Sequence, residues 1–268
     1  MAYERELDAA LAAVREACTL CRAVRSELVL PDTLAKKDKS PVTVADFGSQ
    51  AVVSLRLAEH FPDDPIVAEE EAGELRTDAA TELRSRVREY VQRIRPEVSE
   101  PAILDVIDRG SHPGGAHGRF WTIDPIDGTK GFLRNEQYAV ALALIENGQV
   151  VLGVLGCPNL PSNAGTGVLF AAVRGGGARA ITPDGSTQQP IRVADVRDPR
   201  EAVICESVES AHSSHDDAAR IAALLDVHRP PVRMDSQCKY GAVARGEASI
   251  YLRLPTRGDY EEKIWDHA

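Results

Sequence analysis

The chain has 268 residues, with Lys+Arg 31 against Asp+Glu 41 and a formal charge of −10. Hydrophobic residues at 43% and charged residues at 27% lie near globular averages, which excludes a mainly disordered or collagen-like chain. The acidic balance argues against a nucleic-acid coat, which needs a basic face, yet it allows a phosphorylated small molecule where metal ions and a few cations invert the local field. The longest unbroken apolar run, Tyr138 to Ile145, falls far short of the roughly 20 residues that span a bilayer. The charged N-terminus lacks the apolar centre of a signal peptide, so the expected address is cytoplasmic, with neither membrane nor nucleic acid as partner.

Residues 4–30 read as one long amphipathic helix, with Leu7, Leu11, Val14, Cys18, Cys21 and Leu28 on one face and Glu4, Glu6 and Asp8 near its positive end. Cys18 and Cys21 form a CxxC, which can serve redox or zinc chemistry. No second CxxC accompanies it and both thiols fall on the apolar stripe, so core packing is the expected role. A polar stretch at 36–41 breaks the pattern, and a second helix is expected to open near Asp46 and stop before Pro62. Ile66-Val67-Ala68 reads as a short buried strand ending in Glu69-Glu70-Glu71, and helices are expected over 77–95 and 99–109.

After a glycine-rich loop at 110–118 the period changes from helical to alternating. A strand over 120–123 runs into Asp124, strands 138–145 and 150–156 flank the hairpin signal Glu146-Asn-Gly-Gln, and strands 168–173 and 178–181 flank Gly175-Gly-Gly. Beyond residue 200 the pattern predicts a strand at 202–206, helices at 213–225 and 236–245, and a strand at 248–254, with 182–200 reading as loop. The expectation is an α/β (α+β layered) protein in two parts, an N-terminal α+β domain over 1–160 and a C-terminal α/β domain over 161–268.

The sharpest local feature is Asp124-Pro-Ile-Asp-Gly-Thr129, two carboxylates three residues apart after a strand. Proline stiffens this turn and glycine releases it, so both carboxylates and the Ile126 carbonyl can aim at one point. All are hard oxygen ligands suited to Mg²⁺. Asp-Pro and Asp-Gly are also common turn dipeptides, and this alternative stands on the motif alone. Glu69 and Glu70 at a strand end, Asp46 at a helix start and Asp266 beside Trp265 add the acids that a two-metal site requires. Other chemistries lack their signatures: Gly128-Thr-Lys-Gly is not a Walker A, no GxGxxG is completed, and no Gly-x-Ser-x-Gly elbow occurs. His212 and His215 have no third soft ligand in view and read as loop residues or substrate contacts.

With Lys130-Gly-Phe-Leu-Arg134 following it, the Asp124 motif resembles that of the inositol monophosphatase-like superfamily of Mg²⁺-dependent, Li⁺-sensitive phosphatases. Within that superfamily the chain is similar to the 3′(2′),5′-bisphosphate nucleotidases, the PAP phosphatases of the salt-tolerance family. The motifs that carry this are Gly156-Cys-Pro-Asn-Leu160, His212-Ser-Ser-His-Asp216, Asp235-Ser-Gln-Cys-Lys-Tyr240, Tyr251-Leu-Arg-Leu-Pro255 and Glu262-Lys-Ile-Trp-Asp-His-Ala268, in family order over nearly the whole chain.

The resemblance implies an αβαβα sugar-phosphatase fold and hydrolysis of the 3′-phosphate of adenosine 3′,5′-bisphosphate (PAP), with PAPS as a second substrate and a place in sulfur assimilation. It implies two or three Mg²⁺ ions on Asp46, Glu69, Asp124, Asp127, Asp266 and the Ile126 carbonyl. Thr129 paired with Asp46 would activate water, Thr129 and Asp266 would also touch the substrate, and His212, Ser236, Lys239 and Arg253 would hold the nucleotide, with Asp235 a weaker candidate. The expected partner is a small bisphosphate nucleotide and the expected state a monomer. Two departures stand out. Ser207-Val-Glu209 replaces the usual Gly-Val-Glu, and the chain stops two residues after Asp266, where the family continues into a helix, so the resemblance implies that the C-terminal portion is lacking. An inositol polyphosphate 1-phosphatase-like enzyme and a non-catalytic PAP-binding protein remain as alternatives.

Overall fold

The N-terminal apolar stripe folds as α1 (Glu4–Leu28), which buries Leu7, Val14, Cys18 and Cys21. The computed structural model describes residues 2–28, 40–208, 214–254, 259 and 261–267. Both CxxC cysteines are free and buried, and burial pushes the Cys18 thiol up to about 12, as expected of core-packing residues.

The second helix, α2 (Ser40–His60), opens six residues earlier than the sequence suggests. Proline is tolerated in a helix's first turn, where its missing N–H has no partner to lose, so Ser40-Pro41 starts the helix instead of preceding it. Asp46 therefore lies inside α2, not at its start. Val44, Phe47, Val52 and Leu57 are buried, and α1 and α2 pack on each other over one face of the main sheet.

That sheet has seven strands in chain order: β1 (Ile66–Ala68), β2 (Arg119–Asp127), β3 (Ala139–Glu146), β4 (Gln149–Ser162), β5 (Gly165–Val173), β6 (Gly177–Ile181) and β7 (Gln188–Ile191). The β1–β2 pair is parallel, and its crossover carries a 3₁₀ turn (Asp78–Ala80), α3 (Thr81–Ile94) and α4 (Glu100–Asp108), capped where the Ser99 hydroxyl accepts from the Ala102 N–H at 3.4 Å. From β2 onward every pairing is antiparallel. Asn147 and Gly148, both at positive φ, form the expected hairpin turn. Strand β7 lies in the stretch read as loop. Gln188-Gln-Pro-Ile has no apolar alternation because it is an exposed edge strand, where a proline costs no ladder bond.

A second, three-stranded parallel sheet has the order β10 (Ile250–Tyr251), β8 (Ile204–Glu206), β9 (Val232–Arg233). Its helices are α6 (His215–Leu224) and α7 (Cys238–Ala244), each shorter than expected, as is the strand read over 248–254. Helix α7 sits between the sheets: Cys238 and Ala242 share a buried cluster with Cys157 and Phe170 of the large sheet and Cys205 of the small one. The layers thus run helices, sheet, helix, sheet. A boundary at 160/161 falls next to the end of β4, inside the strand, and the large sheet continues to Ile191. The change of sheet comes after that residue. Among the described residues no helix is long and apolar enough to cross a membrane.

A short helix not anticipated from the sequence, α5 (Thr129–Arg134), follows β2. A Cβ at Gly131 would lie 2.0 Å from the Gln137 carbonyl oxygen, so α5 returns to β3 only with glycine there. Gly131→Ala should lower stability by about 3 kcal/mol in urea unfolding. An unchanged midpoint would show that this turn relaxes freely.

Candidate active site

In a regular strand Asp124 and Asp127, three residues apart, would face opposite sides. Here Asp124 pairs with Ala141 and Asp127 with Ala139, so three steps on β2 match two on β3 and a bulge absorbs the extra residue at Pro125-Ile126. Proline has no N–H for the ladder, which makes this the natural place for the break. The bulge re-aims both carboxylates to one side, where the Asp127 charge raises the proton affinity of Asp124.

Asp46, Glu69, Asp124, Asp127 and Asp266, carried by α2, the end of β1, β2 and a 3₁₀ turn, Ile264–Asp266, lie near enough to act on one another electrostatically, although they do not form a set with ligand atoms all within 4.8 Å of one another. Trp265 packs against Val67, Phe120 and Ile145, which seats that turn on the sheet. Burial, with the charges of Glu70 and Glu69, holds Asp46 well above the ordinary carboxylate range. Burial, then Asp127, Glu69, Asp266 and Asp46, does the same for Asp124, and burial with Glu70, Asp266 and Asp127 pushes Glu69 up to about 7. Asp127 is raised by burial but moderated by Lys239 and by the Gln237 N–H, which donates to Oδ2 at 2.5 Å. Asp124 is 3% exposed, and its Oδ1 is buried without a hydrogen-bond partner. A buried, unpartnered carboxylate oxygen among four other acids fits a cation, and an all-oxygen set fits a hard one.

The structure treats the other candidates unevenly. Ile126 is buried at the bulge. Thr129 is exposed at the start of α5, and no hydrogen bond joins it to Asp46 among the described residues. Lys239, whose charge reads in isolation as surface charge, is only 5% exposed. Its Nζ donates to the Met234 carbonyl at 3.3 Å and lies over the Tyr251 ring, and burial lowers its pKa against the pull of Asp127. Arg253 grips Glu262 through Nε at 2.7 Å and a second nitrogen at 2.6 Å, and lies 3.7 Å from Asp266. Ser236 is buried at positive φ, its hydroxyl accepting from the Cys238 N–H at 3.2 Å. Asp235 pairs with Arg134 at 2.6 Å, which ties α5 to the 235–239 segment. His215 bonds the Ser207 carbonyl at 2.9 Å, a loop contact, and His212 lies outside the described residues.

One neighbour, Gln237, carried no individual signal in the sequence. Gln237 donates its backbone N–H to Asp127 and its side-chain amide to the Trp265 carbonyl at 3.0 Å, bridging the β2 and Asp266 segments. Glu70, named with Glu69 among the strand-end acids although a run of three glutamates is more often a solvated face, acts on Asp46 and has its own pKa raised by burial. Glu262, Asp266 and His267 are the acid and histidine group whose donor atoms lie within 4.8 Å of one another among the described residues. There the Arg253 guanidinium already supplies a cation, and Tyr240 holds His267 at 2.7 Å.

The family model described as "Inositol monophosphatase family" covers residues 3–268. A protein from Arabidopsis thaliana named 3′(2′),5′-bisphosphate nucleotidase 1 is 49% identical over 290 residues, spanning 100% of this chain and 82% of its own. An Emericella nidulans 3′(2′),5′-bisphosphate nucleotidase is 46% identical over 299 residues, spanning 100% and 84%. The solved inositol monophosphatase from Zymomonas mobilis superposes with a TM-score of 0.63 at 20% identity, covering 100% of this chain and 81% of its own, a likeness of fold. The chain belongs to the inositol monophosphatase family.

Proposed function

We propose that the chain is a Mg²⁺-dependent 3′(2′),5′-bisphosphate nucleotidase, a phosphomonoesterase that converts adenosine 3′,5′-bisphosphate to AMP and phosphate and also accepts PAPS. The observation that carries this is the five-carboxylate cluster around the unpartnered Asp124 Oδ1, in a chain 49% identical along its whole length to a protein of that name. Asp46, Glu69, Asp124, Asp127, Asp266 and the Ile126 carbonyl are the groups that would hold two or three ions. When bound, Mg²⁺ neutralises the phosphate dianion and acidifies the attacking water.

The protein's own groups do the rest. Thr129 would orient the water and relay its proton to Asp46 once a bound substrate brings the two groups within hydrogen-bond reach. Lys239 and Arg253 supply positive charge for the 5′-phosphate that stays on the product, with Arg253 exchanging Glu262 for that phosphate. Ser236 and His212 complete the nucleotide contacts. We also infer a cytoplasmic monomer.

The test is phosphate release by the purified chain from adenosine 3′,5′-bisphosphate and from an inositol bisphosphate, with Mg²⁺ and with chelator. Magnesium-dependent release from the nucleotide is expected. Release from the inositol compound alone would replace this reading with a 1-phosphatase, and nucleotide binding without release would replace it with a sensor.

A further inference from the structure

Carboxylates gathered at one place repel, so the backbone segments bearing them tend to move apart when no cation is bound. These segments are the end of β1, the β2 bulge and α2 itself. Asp46, Ser49 and Gln50 are three and four residues apart on α2, the spacing that puts side chains on one helix face.

Gln50 is fully buried, and its amide is fully engaged. Nε2 donates to the Glu70 carbonyl at 2.6 Å and to the Ile107 carbonyl at 3.1 Å, while Oε1 accepts the Glu70 N–H at 3.0 Å. The side chain thus completes residue 70 as a neighbouring strand would. Gly110 leaves room for it, since a Cβ there would lie 2.9 Å from Nε2. Ser49, equally buried, donates to the Pro125 carbonyl at 2.9 Å, the acceptor left at the broken ladder of the bulge. Neither side chain is in the acidic cluster.

We propose that Ser49 and Gln50 are positioning residues that fasten the Glu69-Glu70 segment and the Asp124–Asp127 bulge to the helix carrying Asp46, presetting the cation cage against its own repulsion. This rests on the metal-dependent reading above. Their loss acts through placement of the acids, because neither contributes a ligand atom.

The test uses the full chain and the variants Gln50→Met, which removes all three bonds at similar volume, and Ser49→Ala. Mn²⁺ binding is followed by electron paramagnetic resonance, and backbone hydrogen exchange is followed in chelator. Gln50→Met should bind Mn²⁺ about 10–100-fold more weakly, the usual cost of removing a group that orients ligands. Its exchange over 66–72 should be faster by about tenfold, with β3 to β5 unchanged. Wild-type affinity, or faster exchange spread evenly over the whole sheet, overturns the proposal. Should Gln50→Met fail to fold, Ser49→Ala decides: weaker Mn²⁺ binding supports the role and unaltered binding rejects it. A wild-type chain that binds no Mn²⁺ would sink the metal reading, while the exchange comparison would still decide the clamp.

Discussion

Asp124→Asn is expected to abolish phosphate release while making the metal-free protein more stable. The substitution keeps the shape of the side chain and removes one charge from the centre of the cluster. Asp124 is the acid that Asp127, Glu69, Asp266 and Asp46 all act upon, and its Oδ1 has no protein partner. A cation held there loses a charged ligand. Since the Lewis-acid contribution of such an ion is worth several kcal/mol, turnover should fall by about 10³-fold or more. Without metal the sign reverses. The asparagine no longer repels four neighbouring carboxylates, so the melting temperature in chelator should rise by roughly 5 °C. The two effects come from one charge and are measured separately, by initial rates with Mg²⁺ and by calorimetry with chelator. A variant that turns over near the wild-type rate removes Asp124 from the site, and a variant that melts lower without metal contradicts the repulsion.

Much of this site was legible in the sequence because its acids sit at punctuated places. Asp124-Pro-Ile-Asp127 announces a turn, and the structure supplies the reason for that spacing: the bulge converts an odd separation into a shared face. Asp46 was found as a residue but misplaced as a helix start, because Pro41 reads as a breaker and the first turn of a helix tolerates it. The short elements of the second sheet were overextended, since a two-residue strand such as Ile250–Tyr251 depends on its neighbours for definition, not on its own pattern. The clamp residues were invisible for a different reason. A glutamine in an amphipathic helix looks like any polar position, and only tertiary contact shows that Gln50 spends its amide on the backbone of residue 70. Lys239 is similar: its burial follows from α7 lying between two sheets, which no local spacing encodes.

The second large effect concerns pH. In the metal-free protein Asp46, Glu69, Glu70, Asp124, Asp127 and Asp266 all have raised pKa values, burial being the first cause in each. The folded state therefore binds more protons than the unfolded chain, whose carboxylates titrate near about 4. The stability tied to these groups is fully present below that range and is lost as pH rises through their folded values, which for Glu69 means up to about 7. Asp184, pulled down to about 2 by Thr182 and Ser186, has the opposite sign, but its stabilisation is already complete above the ordinary carboxylate range and does not vary between pH 5 and 8. The melting temperature in chelator should consequently fall by roughly 5–10 °C from pH 5 to pH 8. Saturating Mg²⁺ should reverse the trend, because the cation competes with those same protons and binds the folded state alone, adding about 2.7 kcal/mol at a hundredfold excess over its dissociation constant. The gap between the two melting curves should thus open with rising pH. A metal-free melting temperature that climbs from pH 5 to 8, or a magnesium increment that shrinks over that interval, would mean that these carboxylates are not the charges that bind the cation.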